Sequence, residues 1–357
     1  MVYPILPLFL SLKLGVSPVV IGLIEGIAES IASLLKVFSG YVSDRVGRRK
    51  PLAIIGYASS TVGKLFLFFA RAWGHVLTGR IIDRLGKGIR TAPRDALIAD
   101  SARPERKGQA FGLHRALDTV GAVVGVSLAY YFFITVKGNY TSVFLYSLIP
   151  AVLGVALLFI VREGTKIVRT AAPPRLSFRG LPFRLKAFLV IVFIFALGNS
   201  SNLFLLLRAS KLGVNPATVI LLYLAYNLVY LVFAYPAGRL SDRIGRKTLL
   251  VAGYLFYGLV YIGFALVKSP MYLWGLFGVY GVYIGLTEGV EKALVADIAP
   301  ENLRATMIGL HATLVGIGLL PASLLAGVLW NLFGAQAPFF FGGGLGIVAA
   351  VCLAILI

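Results

Sequence analysis

The stretches GYVSDRVGRR at 40–49 and GRLSDRIGRK at 238–247 agree at six of ten positions and lie 198 residues apart (238 − 40). Each closes an apolar run with an aspartate set among arginines. Working outward, the same offset pairs SLKLGVSP (11–18) with ASKLGVNP (209–216). One residue is lost just beyond, and at an offset of 197 ALIADSARPERKGQAFGLH (96–114) pairs with ALVADIAPENLRATMIGLH (293–311). Order and spacing recur together, so the chain is an internal repeat of two similar halves.

Composition says what kind of repeat. The chain has 357 residues and is 59% hydrophobic, whereas a soluble domain is about 45–50% apolar. That places it in the membrane class. The net charge of +20 comes from 34 Lys+Arg against 14 Asp+Glu. Membrane proteins concentrate Lys and Arg in their cytoplasmic loops, which accounts for the excess without nucleic acid. The single cysteine, Cys352, cannot form a disulfide within the chain, and His75, His114 and His311 are far apart. No Cys/His cluster has metal-ligand spacing, and no nucleophile–His–acid set stands out. There is no ATP-binding loop either. An enzyme, a cofactor and a metal are therefore not expected. The first apolar run also lacks the basic opening and cleavage site of a removable signal.

A membrane-crossing helix needs about 20 mainly apolar residues. By that measure the spans are 1–12, 18–43, 51–70, 73–99, 108–135, 143–161, 187–209, 217–238, 248–267, 271–298, 305–330 and 337–357. The segment 162–186 is basic and holds Pro173, Pro174 and Pro182, and reads as a cytoplasmic linker. The expected organisation is a first half at 1–161, the linker at 162–186 and a second half at 187–357. Six spans per half is even, so both halves enter from one side as parallel repeats about an axis along the membrane normal. Alternating outward from the linker places both opening stretches on the cytoplasmic side. Met1 aligns with Asn199, so the first span is expected to lack its opening part, the counterpart of 187–198.

The motif after the second span resembles the loop motif of the major facilitator superfamily. It stands as Gly40, Asp44, Arg45, Gly47, Arg48 and Arg49, and again as Gly238, Asp242, Arg243, Gly245, Arg246 and Lys247. The resemblance covers the whole chain. It implies an all-α membrane protein with two six-helix bundles around a central cavity. It also implies solute transport by alternating access, coupled to an ion gradient. Two further motifs of the family match in part. Arg80 resembles its buried arginine in the fourth span, but Asp83 and Arg84 replace neutral positions there. Gly112, Gly121 and Gly125 follow the antiporter motif of the fifth span, whereas Val126, Ala129 and Tyr130 depart from it. The partial match favours export.

The charges name candidate sites. An aspartate at a helix C-terminus meets the negative end of the helix dipole and needs a partner. Asp44 and Asp242 are in that position, and Gly47 suits a left-handed turn that ends a helix. The resemblance supplies the partner as a cytoplasmic gate, to which Asp100 and Asp297 are expected to belong. Seven of the fourteen acids fall inside spans: Glu25, Glu29, Asp83, Asp95, Asp118, Glu288 and Glu291. A charge there costs about 2.5–3.5 kcal/mol on insertion scales, so it faces a cavity or a partner. At 100° per residue, Glu25, Glu29 and Lys36 share one face, and so do Arg80, Asp83, Arg84, Lys87, Thr91, Arg94 and Asp95. Glu288, Glu291 and Lys292 share a third. Glu25 and Glu29 correspond by offset to Tyr223 and Asn227.

Glu25 and Glu29 are the first choice for proton coupling, and Asp118 beside Arg115 the second. The basic excess on the fourth span favours an anionic or zwitterionic solute, since arginine forks suit carboxylate and phosphate. Expected partners are that small solute, protons and the lipid bilayer, with the chain a monomer in the cytoplasmic (inner) membrane. The leading reading is a proton-coupled exporter. The alternatives are an importer of an organic anion or phosphate ester, and a non-transporting receptor or scaffold on the same fold.

Overall fold

The computed structural model describes residues 1–46, 49–101, 107–161, 181–299 and 304–357. All regular structure among them is helical. α1 (Leu6–Leu8) runs into a π-helical turn, Phe9–Lys13. α2 (Pro18–Val46), α3 (Lys50–Phe68), α4 (Trp73–Ser101) and α5 (Lys107–Thr135) follow. α6 (Tyr140–Tyr146) and α7 (Leu148–Ile160) form one span interrupted at Ser147. In the second half, α8 (Phe183–Gly198) and α9 (Leu203–Lys211) form another broken span. Then come α10 (Pro216–Ile244), α11 (Arg246–Leu266), α12 (Tyr272–Ile298), α13 (Arg304–Phe333) and α14 (Ala337–Leu356). α8 starts at Phe183 because Pro182 precedes the helix, where a missing N–H is harmless. The last residues of the expected linker are thus its first turn.

Ten spans among the described residues are long and apolar enough to cross a membrane. α4 is absent from the ten because its charges exceed what composition alone would pass, and α1 because it is short. The protein is a multi-pass membrane protein. The repeat is visible in the backbone. α2 and α10 are each 29 residues and each begins at the proline of the repeated KLGV motif. Gly15 and Gly213, 198 apart, both carry positive φ, 63° and 86°. Only glycine enters that region without strain, so the same turn is built twice.

Packing follows the repeat as well. α2 and α3 both lie against α4, as α10 and α11 lie against α12. The bundles meet along α2·α13 and α5·α10. The repeat exchanges α2 with α10 and α13 with α5, so a pseudo-two-fold axis relates the two seams. Lipid tails are as apolar as side chains, so close backbone approach at small residues is what holds such helices. α3 and α4 meet at two glycine pairs. A Cβ on Gly56 would lie 2.6 Å from the carbonyl oxygen of Gly86, and one on Gly63 would lie 2.6 Å from that of Gly79. These contacts fix the rotation of α4 and turn its charged face onto α2. The second bundle is filled by Tyr254, Tyr257, Tyr261, Tyr280, Phe264 and Phe277, all under 2% exposed.

Candidate functional site

The charges of α4 are spaced i, i+3, i+4 and i+7 at Arg80, Asp83, Arg84 and Lys87, which puts them on one face. Opposite stand Glu25 and Glu29 of α2. Arg80 Nη2 lies 2.7 Å from Glu25 Oε2 and 2.5 Å from Oε1, with both side chains buried at 4% and 1% exposure. Arg84 Nη2 is 2.7 Å from Glu29 Oε1, and Lys87 Nζ is 3.3 Å from Glu29 Oε2. Asp83 Oδ2 lies 3.3 Å from Arg84 Nη1 and 3.6 Å from Arg80 Nη1. Each of these three carboxylates therefore meets a cation. Arg90 turns away, donating to Ser60 Oγ at 2.6 Å and lying over the Tyr57 ring at 4.2 Å. Arg94 and Asp95 pair with each other at 2.8 Å. The basic stripe of the fourth span is thus engaged inside its own bundle.

The second bundle treats its carboxylates differently. Glu288 Oε2 accepts from Tyr230 Oη at 2.7 Å, and Glu291 Oε1 accepts from Tyr254 Oη at 3.0 Å. His311 Nε2 lies 3.2 Å from Glu291 Oε2. The imidazole is 4% exposed and lies parallel to the Phe188 ring, and neither of its nitrogens has a hydrogen-bond partner among the described residues. Asn227 donates to the Tyr223 carbonyl at 2.7 Å. The Tyr223 ring stands 5.5 Å from that of Tyr3.

Between the bundles is a cavity of about 420 Å³. α2 lends it Glu29, Ser33 and Lys36; α12 lends Glu288, Glu291 and Lys292; α13 lends His311. Tyr226, Tyr280 and Tyr283 supply aromatic walls, and Asn199 and Asn202 supply amides. Both asparagines come from the break between α8 and α9. There the backbone bonds locally, Ser200 N to Gly198 O at 3.2 Å, and leans on side chains, Ser201 N to Ser323 Oγ at 3.2 Å. Irregular backbone at membrane depth is tolerated where it lines a cavity.

One end of the seam is closed. This is the far end, opposite the one where α7 stops and α8 starts. At the level of the cavity Ser30 Oγ donates to Gly316 O at 3.1 Å, and beyond it α2 and α13 come still closer. A Cβ on Gly22 would collide with the carbonyl of Ser323, and one on Gly327 would lie 2.6 Å from Val19 Cα. Towards the linker end Lys292 and Ala312 are exposed, while Tyr280, Tyr283 and Thr287 deeper in are buried. The cavity opens that way.

The remaining candidates are scattered. Asp118 is exposed on α5 and is not among the residues lining the cavity, and the side chain of Arg115 lies outside the described residues. Of the gate motif, Gly47 and Arg48 lie outside the described residues, as do the side chains of Asp44, Arg45, Asp100 and Asp242. Gly40 and Gly238 fall inside α2 and α10, and Arg243 is exposed. Gly245 separates α10 from α11 with φ of 91°. Arg246 reaches back to Asp297 Oδ1 at 2.5 Å and to Ala293 O at 2.8 Å, tying the start of α11 to the end of α12. Sequence reasoning did not single out His311, Asn199, Asn202, Tyr280 or Tyr283. The signal for His311 was present, since it closes the repeated stretch that ends at His114 in the first half.

Comparison with known proteins decides the family. The model of the Major Facilitator Superfamily matches residues 1–207 and 187–357. The chain belongs to the major facilitator superfamily. An uncharacterised MFS-type transporter of Methanocaldococcus jannaschii is 38% identical, over 99% of this chain and 89% of that protein. A multidrug resistance protein, MdtH, of Salmonella paratyphi B is 25% identical over 89% of this chain and 79% of its own length. Among solved structures, the nucleoside transporter NupG superposes with a TM-score of 0.81 at 12% identity, covering 99% of this chain and 94% of that one. A D-xylose–proton symporter does so at 0.80 and 18%, covering 95% and 88%. At such identities the structural likeness concerns the fold. Major facilitator proteins are transporters, not enzymes. In this one the two bundles contribute unlike chemistry to the shared cavity, an arginine-paired acid, Glu29, on one side and tyrosine-bonded acids, Glu288 and Glu291, on the other.

Proposed function

We propose that this chain is a proton-coupled secondary transporter that moves a small solute out of the cell by alternating access, working as a monomer in the cytoplasmic membrane. The observation that carries the reading is the seam cavity, closed by α2 against α13 at the far end and lined by ionisable groups of both bundles of one chain. The linker end is taken as cytoplasmic because Arg49, Arg243, Arg246 and Lys247 lie there and the sequence 162–186 that joins α7 to α8 is basic. Likeness to a protein named for multidrug resistance supports export.

The pair best placed for coupling is Glu291 with His311. Glu25 and Glu29, expected from sequence to carry the proton, are held by Arg80, Arg84 and Lys87, so a proton arriving there displaces a cation. Glu291 accepts from a phenol and has an imidazole 3.2 Å away instead, and imidazole is a side chain suited to passing protons. The other groups around the pair are Glu288 and Lys292 on α12, Tyr254 on α11, Phe188 on α8, and Glu29 and Lys36 across the seam.

The test is proteoliposomes holding a trapped pH dye, challenged with a panel of candidate solutes under an imposed pH gradient. Solute-dependent proton movement is expected for the parent. Glu291→Gln and His311→Asn should lose gradient-driven flux while keeping equilibrium exchange. Solute flux indifferent to the gradient, or gradient-driven flux intact in Glu291→Gln, refutes the assignment.

A further inference from the structure

The cavity carries charges whose hydrogen-bonding capacity is unmet, and those charges are positive. Of its carboxylates, Glu29 is taken by Arg84 and Lys87, Glu288 by Tyr230, and Glu291 by Tyr254. Lys36 and Lys292 differ. Both line the cavity, Lys36 from α2 and Lys292 from α12, and neither ammonium group makes a hydrogen bond or ion pair with any described residue. Each ammonium offers three donors. Nearby, both buried ring nitrogens of His311 lack a hydrogen-bond partner among the described residues. The opposite wall is aromatic, from Tyr280, Tyr283 and Phe195.

We propose that Lys36 and Lys292 seat the anionic head of an organic anion with a flat apolar body, and that this head bridges the two bundles. The inference rests on the seam cavity being the transport cavity. The two ammonium groups belong to different bundles and face the same space, so their like charges oppose approach of the bundles at the linker end. A carboxylate or sulfonate between them accepts from both, removes the repulsion and ties α2 to α12. The body then lies against the tyrosine wall, where its ring stacks and its polar substituents meet Asn199 and Asn202. Binding and closure are thereby one event, and an empty carrier stays open. The span-four arginines are not part of this seat, since none of them lines the cavity.

The test uses the full chain in nanodiscs. Radiolabelled benzoate is the probe, with inorganic phosphate and tetraphenylphosphonium for comparison. Benzoate should bind, and Lys36→Gln or Lys292→Gln should weaken it at least about tenfold, which is about 1.4 kcal/mol. Lys36→Arg and Lys292→Arg should restore most of the affinity, which separates lost charge from lost fold. Spin labels at Val42→Cys and Thr248→Cys, with Cys352→Ala, read closure at the linker end. The parent should contract on adding benzoate, and the Lys36→Gln/Lys292→Gln pair should be contracted without it. Benzoate affinity unchanged by both glutamines overturns the proposal, as does phosphate or tetraphenylphosphonium binding as tightly. Gradient-driven flux of cations alone would leave the transporter reading standing and remove the anion seat. Lysine-dependent benzoate binding with no flux of any solute would do the reverse.

Discussion

Glu25 and Arg80 show what a single buried pair commits the protein to. Removing one partner of such a pair leaves an uncompensated charge and costs about 3–5 kcal/mol. Arg80→Gln is therefore expected to lower the thermal transition in detergent sharply. Glu25→Gln/Arg80→Gln together should recover a good part of that loss. Glu29→Gln should cost less, because Glu29 is 20% exposed and has water as an alternative partner. A double variant no more stable than Arg80→Gln alone would show that the pair's worth is not mutual. The faces of these residues were legible in the sequence, because helical spacing alone puts Glu25 with Glu29 and Arg80 with Arg84. Their pairing was not. Spacing says which residues share a face, and only the seating of α4 on α3 says which face meets it. His311 was missed for another reason, since its only sequence signal is its match with His114 in the repeat and a histidine in an apolar run carries no periodicity.

Helix ends and breaks carry the next level. Nothing in LFLLLRASK marks Arg208 as special, yet it is 5% exposed and donates to three carbonyls at the end of α11. Nε reaches Phe264 O at 3.1 Å, and Nη2 reaches Ala265 O at 3.1 Å and Val267 O at 3.0 Å. A helix leaves its last four carbonyls unpaired and its C-terminus favours a cation. Arg208 meets both needs from a neighbouring span. Arg208→Lys keeps the charge and loses the planar fork, so a loss of about 1.5–3 kcal/mol is expected. Hydrogen exchange should quicken at 266–271 and remain slow in α3 and α4. Uniform change across the molecule would show that Arg208 does not act as a local clamp. Span boundaries were readable because long apolar runs dominate any average. The interruptions at Ser147 and at 199–202 were not, because a few polar residues vanish within such a run. The second of these breaks is what delivers Asn199 and Asn202 to the cavity.

The arrangement of the whole molecule follows from two seams related by the repeat. Parallel halves were legible from a constant offset and an even number of spans. Which end of the seam is closed was not, because it depends on glycines of α2 meeting the backbone of α13. Gly22 and Gly26 face Ser323 and Leu320 so closely that a Cβ on Gly26 would lie 2.7 Å from a Leu320 methyl and 2.9 Å from its Cα. The backbone atoms there cannot yield as a flexible side chain can. Larger residues at these two glycines should therefore act as a wedge at the far end and leave each bundle intact. Gly22→Leu is expected to abolish gradient-driven flux while the thermal transition stays near that of the parent. Cysteine at Asn199, in a Cys352→Ala background, reports the opening. A membrane-impermeant thiol reagent added at the far side should label it in Gly22→Leu and leave the parent untouched. Equal labelling in both would mean that the α2·α13 contact does not seal the far end, and that closure there has to come from α5·α10.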